Sequence, residues 1–347
     1  MKQPKILCIS LGSIGKRHLR NARTLLPDAQ IAVYRQHTIS SEIPEGADRA
    51  LASVAEALDF APDAVIVSSP ASEHIKVASI FAQSNIPLFI EKPLAARADN
   101  IQHFVQQCQT STRFIMVGYV LRFLPALHVI KELISSEKIG KVYTAHIQVG
   151  QYLPNWRPNT DYRNGVSAQE KLGGGALLEL SHEIDYTTWL FGWPQSIWCS
   201  RAKLSALEID VEDSAHLLLE YSDKRVQLQL DFLQCVANMA VQIVGSKATL
   251  QADLMKETIT ITSPDSPLGK SYECEKLPNG NDIYLRQMDF FFKQALHGYV
   301  QQYPQLSHFS EWSSVSHAAG VLQLVDLAKK ASDTGSRQTF SFAEVAP

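Results

Sequence analysis

The segment KILCISLGSIGKRHL, residues 5–19, joins a short apolar run to a stretch with helical spacing of apolar residues. A strand that enters a helix through glycines brings the backbone close to a phosphate, because glycine has no Cβ and the first helical turn has free N–H groups. Gly12 and Gly15 match the second and third glycines of the pattern G-x-G-x-x-G, and Ser10 stands at the first. The segment therefore predicts a dinucleotide-binding turn, with a ligand-free strand-to-helix turn as the alternative.

Short apolar runs alternate with helical segments from Lys5 to about Val120. The runs are almost continuously apolar, as is typical of parallel strands that are covered on both faces. They read KILCIS, QIAVYR, DAVIVSS, PLFIEKP and FIMVGY. This alternation predicts an α/β fold that begins with a Rossmann-type, doubly wound parallel sheet.

The pattern changes after Tyr119. RVQLQLDF, residues 225–232, alternates apolar and polar side chains, which indicates a strand with one buried and one polar face. We predict a C-terminal α/β domain with an open, mostly antiparallel sheet, and helices near 283–298 and 311–330. Because 347 residues are too many for one core, the predicted domains are 1–120 and 121–347. The pattern leaves open which domain the last helix packs against.

The composition, 45% hydrophobic and 19% charged, is that of a soluble globular protein. A net charge of −3 without a basic block argues against a nucleic-acid partner. No apolar run reaches the roughly 18–20 residues that span a bilayer, and the first residues lack a signal-peptide pattern. The five cysteines are scattered and form no C-x-x-C pair, which argues against disulfides and structural zinc. We therefore expect a cytoplasmic protein that contacts neither membranes nor a metal ion.

The end of the second apolar run bears on the choice of dinucleotide. An acidic residue about 20 positions after the glycine turn normally binds the ribose 2′-OH in NAD proteins. Here the chain has Tyr34, Arg35 and Gln36 and no carboxylate. Arg35 could pair with a 2′-phosphate or stack on adenine, so the sequence slightly favours NADP over NAD. The alternative is that Arg35 is a solvated surface residue.

The run PLFIEKP carries the first candidate catalytic group. Lys92 follows the apolar part of the run, where ligands bind in doubly wound sheets, and Pro93 fixes the chain there. A lysine in this place can donate hydrogen bonds to a ligand or take part in proton transfer. The alternative is a surface pair of Glu91 and Lys92.

The stretch GGGALLELSHEIDY, residues 173–186, carries the second candidate. It predicts a helix from about Gly175 on which His182 and Asp185 share a face with Glu179. Histidine exchanges protons near neutral pH, because its unperturbed pKa is about 6.5. The alternative is a histidine satisfied by its surroundings. Zinc is disfavoured, because no further ligand stands at the usual spacing.

The chain resembles the Gfo/Idh/MocA oxidoreductase family, the group of glucose–fructose oxidoreductase and inositol dehydrogenase. The resemblance lies in the order of its motifs: the glycine turn, EKP, GYVLRF, and GGG followed by H-x-x-D. The resemblance covers essentially the whole chain, and the ordered combination is more specific than any one motif. It implies an NAD(P)-dependent enzyme that transfers a hydride between nicotinamide and a CH–OH or carbonyl group of a sugar or activated sugar. The segment QYLPNWRPNTDYRNG is similar to that of members in surface-polysaccharide and sialic-acid-like sugar biosynthesis.

The resemblance also implies roles for individual residues. Those with catalytic roles are Lys92 and His182. Those that contact the cofactor are Gly12, Ser13, Ile14, Gly15, Arg35, Ser69, Pro70, His74, Glu91, Lys92 and Arg122. Those that contact the substrate, with aromatic rings on a sugar face and arginines on a carboxylate or phosphate, are Tyr152, Trp156, Arg157, Tyr162, Arg163, Glu179, His182 and Asp185.

Two departures from the family pattern leave other functions open. Many members have an aspartate where this chain has Leu178, and Glu179 stands one position later. One other function is a glycosidase that uses tightly held NAD for transient oxidation. Another is a dinucleotide sensor without catalysis, which Leu178 and Ser10 favour weakly and Lys92 and His182 oppose. The family also implies a homodimer or homotetramer that forms through the C-terminal sheet.

Overall fold

The computed structural model describes residues 3–36, 42–99, 101–300, 302 and 311–341. Contacts between these residues divide the chain into two compact units. Unit 1 contains the described residues of Met1–Val120 and Leu277–Ala319, and unit 2 those of Leu121–Lys276 and Gly320–Ala346. The described residues of the segment 277–319, which the sequence pattern predicts in the second domain, thus cluster with unit 1.

Unit 1 contains a six-stranded parallel sheet in the order β3-β2-β1-β4-β5-β6. Its strands are β1 (Lys5–Ile9), β2 (Gln30–Tyr34), β3 (Arg49–Leu51), β4 (Ala64–Val67), β5 (Leu88–Ile90) and β6 (Ile115–Val117). The strand order reverses between β1 and β4, which confirms the predicted doubly wound sheet. The sequence prediction omitted β3, because this strand has only three residues and none of them is fully buried.

Most helices of unit 1 follow one of its strands. The helices are α1 (Ser13–Leu25), α2 (Val54–Asp59), α3 (His74–Gln83), α4 (Gln102–Gln109) and α8 (Asp282–Ala295). The segment 277–319 joins this unit because α8 packs on α1: the guanidinium of Arg17 lies 4.3 Å from the ring centre of Tyr284, and the amides of Asn21 and Asn281 are hydrogen-bonded. A further helix, α9 (Val315–Thr334), is divided between the two units.

Unit 2 contains a nine-stranded sheet in the order β14-β13-β12-β11-β7-β10-β9-β8-β15. Its strands are β7 (Val142–Gly150), β8 (Ser196–Ala202), β9 (Ser214–Glu220), β10 (Arg225–Asp231), β11 (Asn238–Gly245), β12 (Thr249–Asp253), β13 (Thr258–Ser263), β14 (Ser266–Tyr272) and β15 (Gln338–Thr339). Only the pair of β7 and β10 is parallel, so the predicted open, mostly antiparallel sheet is confirmed. Val226, Leu228 and Leu230 of β10 are buried, as their alternation predicted.

The helices of unit 2 differ from the prediction at one point. Those that lie wholly in unit 2 are α5 (Pro125–Ser135), α6 (Ala176–Glu179) and α7 (Ser181–Phe191). A single helix was predicted from about Gly175, but Leu180 leaves the helical region with a ψ of 24° and separates α6 from α7. The prediction that Glu179 shares a helix face with His182 is therefore wrong, because the two residues lie on different helices.

In the part of the chain that the structure describes, no helix combines the length and the apolar character that crossing a membrane requires.

The turn after β1 requires an unusual backbone conformation at Ser10. Its φ is 67°, in the left-handed region that favours glycine, and its N–H donates to the carbonyl of Tyr34. The glycine of the usual pattern would take this conformation without strain, whereas a residue with a Cβ pays about 1–2 kcal/mol for it.

We therefore expect Ser10→Gly to raise the free energy of unfolding by about 0.5–1 kcal/mol, because the relief of strain exceeds the added entropy of the unfolded chain. Urea denaturation measures the change. Ser10→Ala is the control, since it keeps the Cβ and should give no gain. Equal stabilities of the glycine and alanine variants would contradict the strain at Ser10.

Candidate functional site

The N-terminus of α1 lies directly after the glycine turn. Gly12 is its N-cap residue, and no side chain of the described residues caps the helix. The first-turn residues Ser13 and Ile14 thus add free N–H groups at the positive end of the helix dipole, which favours an anion. A Cβ built on Gly12 would meet no described atom within 4 Å, so the space beside it is open to a ligand. These features fit the pyrophosphate of a dinucleotide.

Gly15 has a different role from Gly12. A Cβ at this position would lie 2.4 Å from the carbonyl oxygen of Ser10 and 2.6 Å from Oγ of Ser68. No side chain fits into that space, so Gly15 lets α1 pack closely on the ends of β1 and β4. The same Ser68 Oγ donates to the carbonyls of Ile9 and Ser10 and so holds the turn in place.

A cleft of about 740 Å³ opens at the end of β2. Arg35, half-buried, lines it together with Lys16 and Arg20 of α1. The other lining residues include Ser10, Gly12, Gln36, Glu42 and Glu45. The three cations outnumber the two carboxylates of this lining, which suits a second phosphate group.

The segment after β4 holds Ser69, Pro70 and His74. The Oγ atom of Ser69 is buried and has no hydrogen-bond partner among the described residues. His74 is also buried, and its two ring nitrogens lie 2.8 Å and 2.7 Å from the carbonyl oxygens of Pro93 and Ser69. Burial lowers the pKa of His74, against the opposing effect of these carbonyls. The ring thus joins the end of β4 to the loop after β5, and a contact of His74 with the cofactor stays a prediction.

Lys92 follows β5 and is half-buried. Its main-chain N–H donates to Oε2 of Glu91, and Oε1 of Glu91 accepts from Nε2 of His18 at 2.6 Å. Burial opposes the charge on Glu91, but the hydrogen bond from His18 and the neighbouring charges outweigh it, so the pKa of this carboxyl lies below its usual range.

The sequence prediction omitted His18. Its signal was the position of a histidine one turn after Gly15, on the face of α1 that also buries Leu19 and Ala22. From the sequence alone, such a histidine is interpreted as a core residue, because its carboxylate partner lies 73 residues away.

His182 stands at the second position of α7 in unit 2 and is half-buried. The preceding turn depends on Gly175, whose φ is 103° and whose added Cβ would lie 2.5 Å from Oε1 of Glu212. The same Glu212 oxygen accepts the N–H of Leu177 in the first turn of α6. Glu212, another residue that the sequence prediction omitted, therefore holds the segment that leads to His182. Nearby on the chain, Glu179 accepts from Oγ of Ser167.

Arg122 and Asp185, predicted to contact different ligands, are paired with each other. Nε and Nη2 of Arg122 donate to the two carboxylate oxygens at 2.8 Å and 3.0 Å, and both side chains are buried. Removal of either partner would leave a buried charge uncompensated, so the pair fixes α7 to the segment before α5. The predicted ligand contacts of both residues stay predictions.

The segment 151–165 in unit 2 contains the remaining predicted substrate residues. Tyr152 is 36% exposed, Trp156 donates its ring N–H to the carbonyl of Gln151, and Arg157 is exposed. The other two are held by neighbours: Tyr162 accepts from the N–H of Glu208, and Arg163 pairs with Asp161 and Glu208. Arg157 is therefore better placed than Arg163 to bind an anionic group of a substrate.

Within the described ranges, no group of three or more His, Cys, Asp or Glu side chains is arranged to hold a metal ion.

Two family models match the chain. Residues 5–119 match the model of the oxidoreductase family with an NAD-binding Rossmann fold, and residues 127–251 match the GFO/IDH/MocA C-terminal domain. Together the two ranges cover more than half of the chain.

Known proteins with similar sequences include dehydrogenases. A trans-1,2-dihydrobenzene-1,2-diol dehydrogenase of Xenopus tropicalis is 26% identical over 206 residues, which are 58% of this chain and 59% of that protein. The match thus spans less than two thirds of that relative. An inositol 2-dehydrogenase of Acidiphilium cryptum is 24% identical over 309 residues, 85% of this chain and 86% of that protein.

A solved structure shares the fold over nearly the full length. The WlbA dehydrogenase from Bordetella pertussis, in complex with NADH and UDP-GlcNAcA, has a TM-score of 0.74 and 18% identity, and the match covers 99% of this chain and 100% of that one. Because both family models match and the glycine turn is present, this chain belongs to the Gfo/Idh/MocA family of NAD-binding oxidoreductases.

Proposed function

We propose that the protein is an NAD(P)-dependent dehydrogenase or reductase that acts on a hydroxyl or carbonyl group of a sugar or activated sugar. The observation that carries the proposal is the uncapped N-terminus of α1 beside the open space at Gly12, in a chain of this family. The inositol dehydrogenase and the complex with a UDP-sugar support a polyhydroxylated ring as the substrate class. We further propose a setting in surface-polysaccharide or sialic-acid-like sugar biosynthesis, which the sequence resemblance of segment 151–165 implies.

The cofactor would be held by main-chain groups of unit 1. The N–H groups of Ser13 and Ile14 would bind the pyrophosphate. Among side chains, the Oγ of Ser69, which has no hydrogen-bond partner in the described residues, would bond to the nicotinamide half. When bound, the cofactor supplies or accepts the hydride. Because Arg35, Lys16 and Arg20 line the cleft at β2, we propose that NADP binds at least as well as NAD.

The proton would be moved by His182. In oxidation its ring accepts the proton of the reacting hydroxyl, and in reduction it returns the proton. The ammonium group of Lys92 would donate a hydrogen bond to the reacting oxygen and stabilise its developing negative charge. Tyr152 and Trp156 would stack on the sugar ring, and Arg157 would bind a carboxylate or phosphate.

We also propose that the protein self-associates through the outer face of the unit 2 sheet. Trp198 of β8 is 43% exposed there, directly opposite Leu218 of β9. A large exposed aromatic ring beside an apolar neighbour is typical of a contact surface.

The cofactor proposal predicts the effect of Arg35→Gln. NADPH should bind about 10- to 100-fold more weakly, because a charged hydrogen-bond donor to the 2′-phosphate is lost, while the affinity for NADH should change little. Fluorescence titration with both reduced cofactors measures this. Arg49→Gln is the matched control, since Arg49 is exposed on the neighbouring strand β3 and does not line the cleft.

Two results would contradict this assignment. One is a wild-type protein that binds NADH more than about tenfold tighter than NADPH, a difference of roughly 1.4 kcal/mol. The other is an equal loss of both cofactors in Arg35→Gln, which would mean that Arg35 contacts adenine or holds the turn.

The proton-transfer proposal predicts that His182→Ala lowers kcat by about 10²- to 10⁴-fold, the usual contribution of a general acid or base. The dissociation constant of NADPH should stay nearly unchanged, because the glycine turn lies in unit 1 and His182 in unit 2. Steady-state kinetics and cofactor titration separate the two effects. His103→Ala, at an exposed histidine of α4, is the control and should keep full activity. If His182→Ala keeps more than about a tenth of kcat, another group moves the proton.

A further inference from the structure

His18 is a polar residue at a buried position of α1, where the packing of the helix does not require a polar side chain. It is fully buried on α1, one turn beyond Gly15, and its ring packs edge-on against Phe89 with the ring centres 5.0 Å apart. An apolar side chain would satisfy this position as part of the core. Instead, Nε2 of His18 lies 2.6 Å from the carboxylate of Glu91 at the end of β5.

Glu91 uses its two oxygens for two different parts of unit 1. Oε1 accepts from His18, and Oε2 accepts the main-chain N–H of Lys92 at 3.0 Å. One buried carboxylate therefore connects α1 to the backbone that carries the lysine. A buried carboxylate is costly unless its oxygens are paired, so each contact supports the other.

The surroundings leave Glu91 little room to move. A Cβ built on Gly118, after β6, would lie 3.2 Å from Oε1 of Glu91, so the carboxylate sits closely over this glycine. Phe89, two residues before Glu91, is held between His18 and Phe291. Rotation of Glu91 away from Lys92 would therefore break its bond to His18.

We infer that His18 is a positioning residue for Lys92: it fixes the Glu91 carboxylate, and Glu91 fixes the main chain of Lys92. The helix whose N-terminus would bind the pyrophosphate thereby also determines where the lysine stands. The catalytic meaning of this inference rests on the proposed function, but the positioning itself can be tested without turnover.

Variants at His18 separate positioning from simple core packing. His18→Gln keeps an N–H donor of similar reach and should preserve the contact with Glu91. His18→Asn is polar but too short to reach it, and His18→Leu fills the space without a donor. His18→Asn and His18→Leu, the two loss variants, both remove the contact with Glu91. The comparison with His18→Gln needs only one of these two proteins to fold. Asn21→Ala is the control, since Asn21 is buried on the same helix and bonded to Asn281 but does not touch Glu91.

The direct readout is the position of Lys92 itself. Lysines are reductively methylated with a carbon-13 label, and the NMR signal of Lys92 is assigned with Lys92→Arg. The signal should move in His18→Asn and His18→Leu, stay in place in His18→Gln, and stay in place in Asn21→Ala. An unmoved Lys92 signal in a folded loss variant, or an equal movement in Asn21→Ala, would overturn the inference.

The second readout is turnover. In the loss variants kcat should fall about 10- to 100-fold, as expected when a reacting group is displaced by a fraction of an ångström to an ångström, and His18→Gln should restore it to within a few-fold. NADPH affinity should change less than kcat. If the wild type shows no dehydrogenase activity while the Lys92 signal behaves as described, the proposed function fails and the positioning role of His18 stands. Loss variants that keep wild-type kcat with active enzyme would contradict the catalytic part of the inference.

Discussion

The close packing of α1 against the strand ends at Gly15 is the constraint on which the rest of unit 1 depends. The space between this residue, the Ser10 carbonyl and Ser68 admits no side chain. Because the helix approaches so closely, its free N–H groups point to the edge of the sheet where the ligands of doubly wound folds bind. The same approach brings His18, one turn further, within hydrogen-bond distance of Glu91.

Buried charges recur wherever a candidate catalytic group is held. Glu91 with His18 supports the backbone of Lys92, and Asp185 with Arg122 fixes the helix that carries His182. Hydrophobic pairs of similar volume are often at least as stabilising as buried ion pairs, so stability alone does not explain these charges. The defined geometry of these contacts explains them better, because a carboxylate that accepts a hydrogen bond on each oxygen fixes the direction as well as the distance of its partners.

Much of the fold was predictable because its strands are continuous apolar runs and β10 alternates regularly. The glycine turn was predictable from a local motif, while the catalytic roles of Lys92 and His182 stay predictions. The break at Leu180 was not predictable, because nothing in the pattern ALLELSHE marks it. His18 and Glu212 were omitted for another reason: each acts through a partner far away in the sequence, and a single chain does not show which buried polar residues meet.

The function proposed for this protein is a net hydride transfer between a nicotinamide cofactor and a sugar-like substrate. The most direct test is the stoichiometry of turnover with NADP⁺ and a set of sugars, cyclitols and UDP-sugars, with reduced nicotinamide measured by absorbance and the product by mass spectrometry. We expect one reduced nicotinamide for each carbonyl group formed. A product that accumulates without net reduction of the cofactor would contradict the claim and indicate transient oxidation of the glycosidase type.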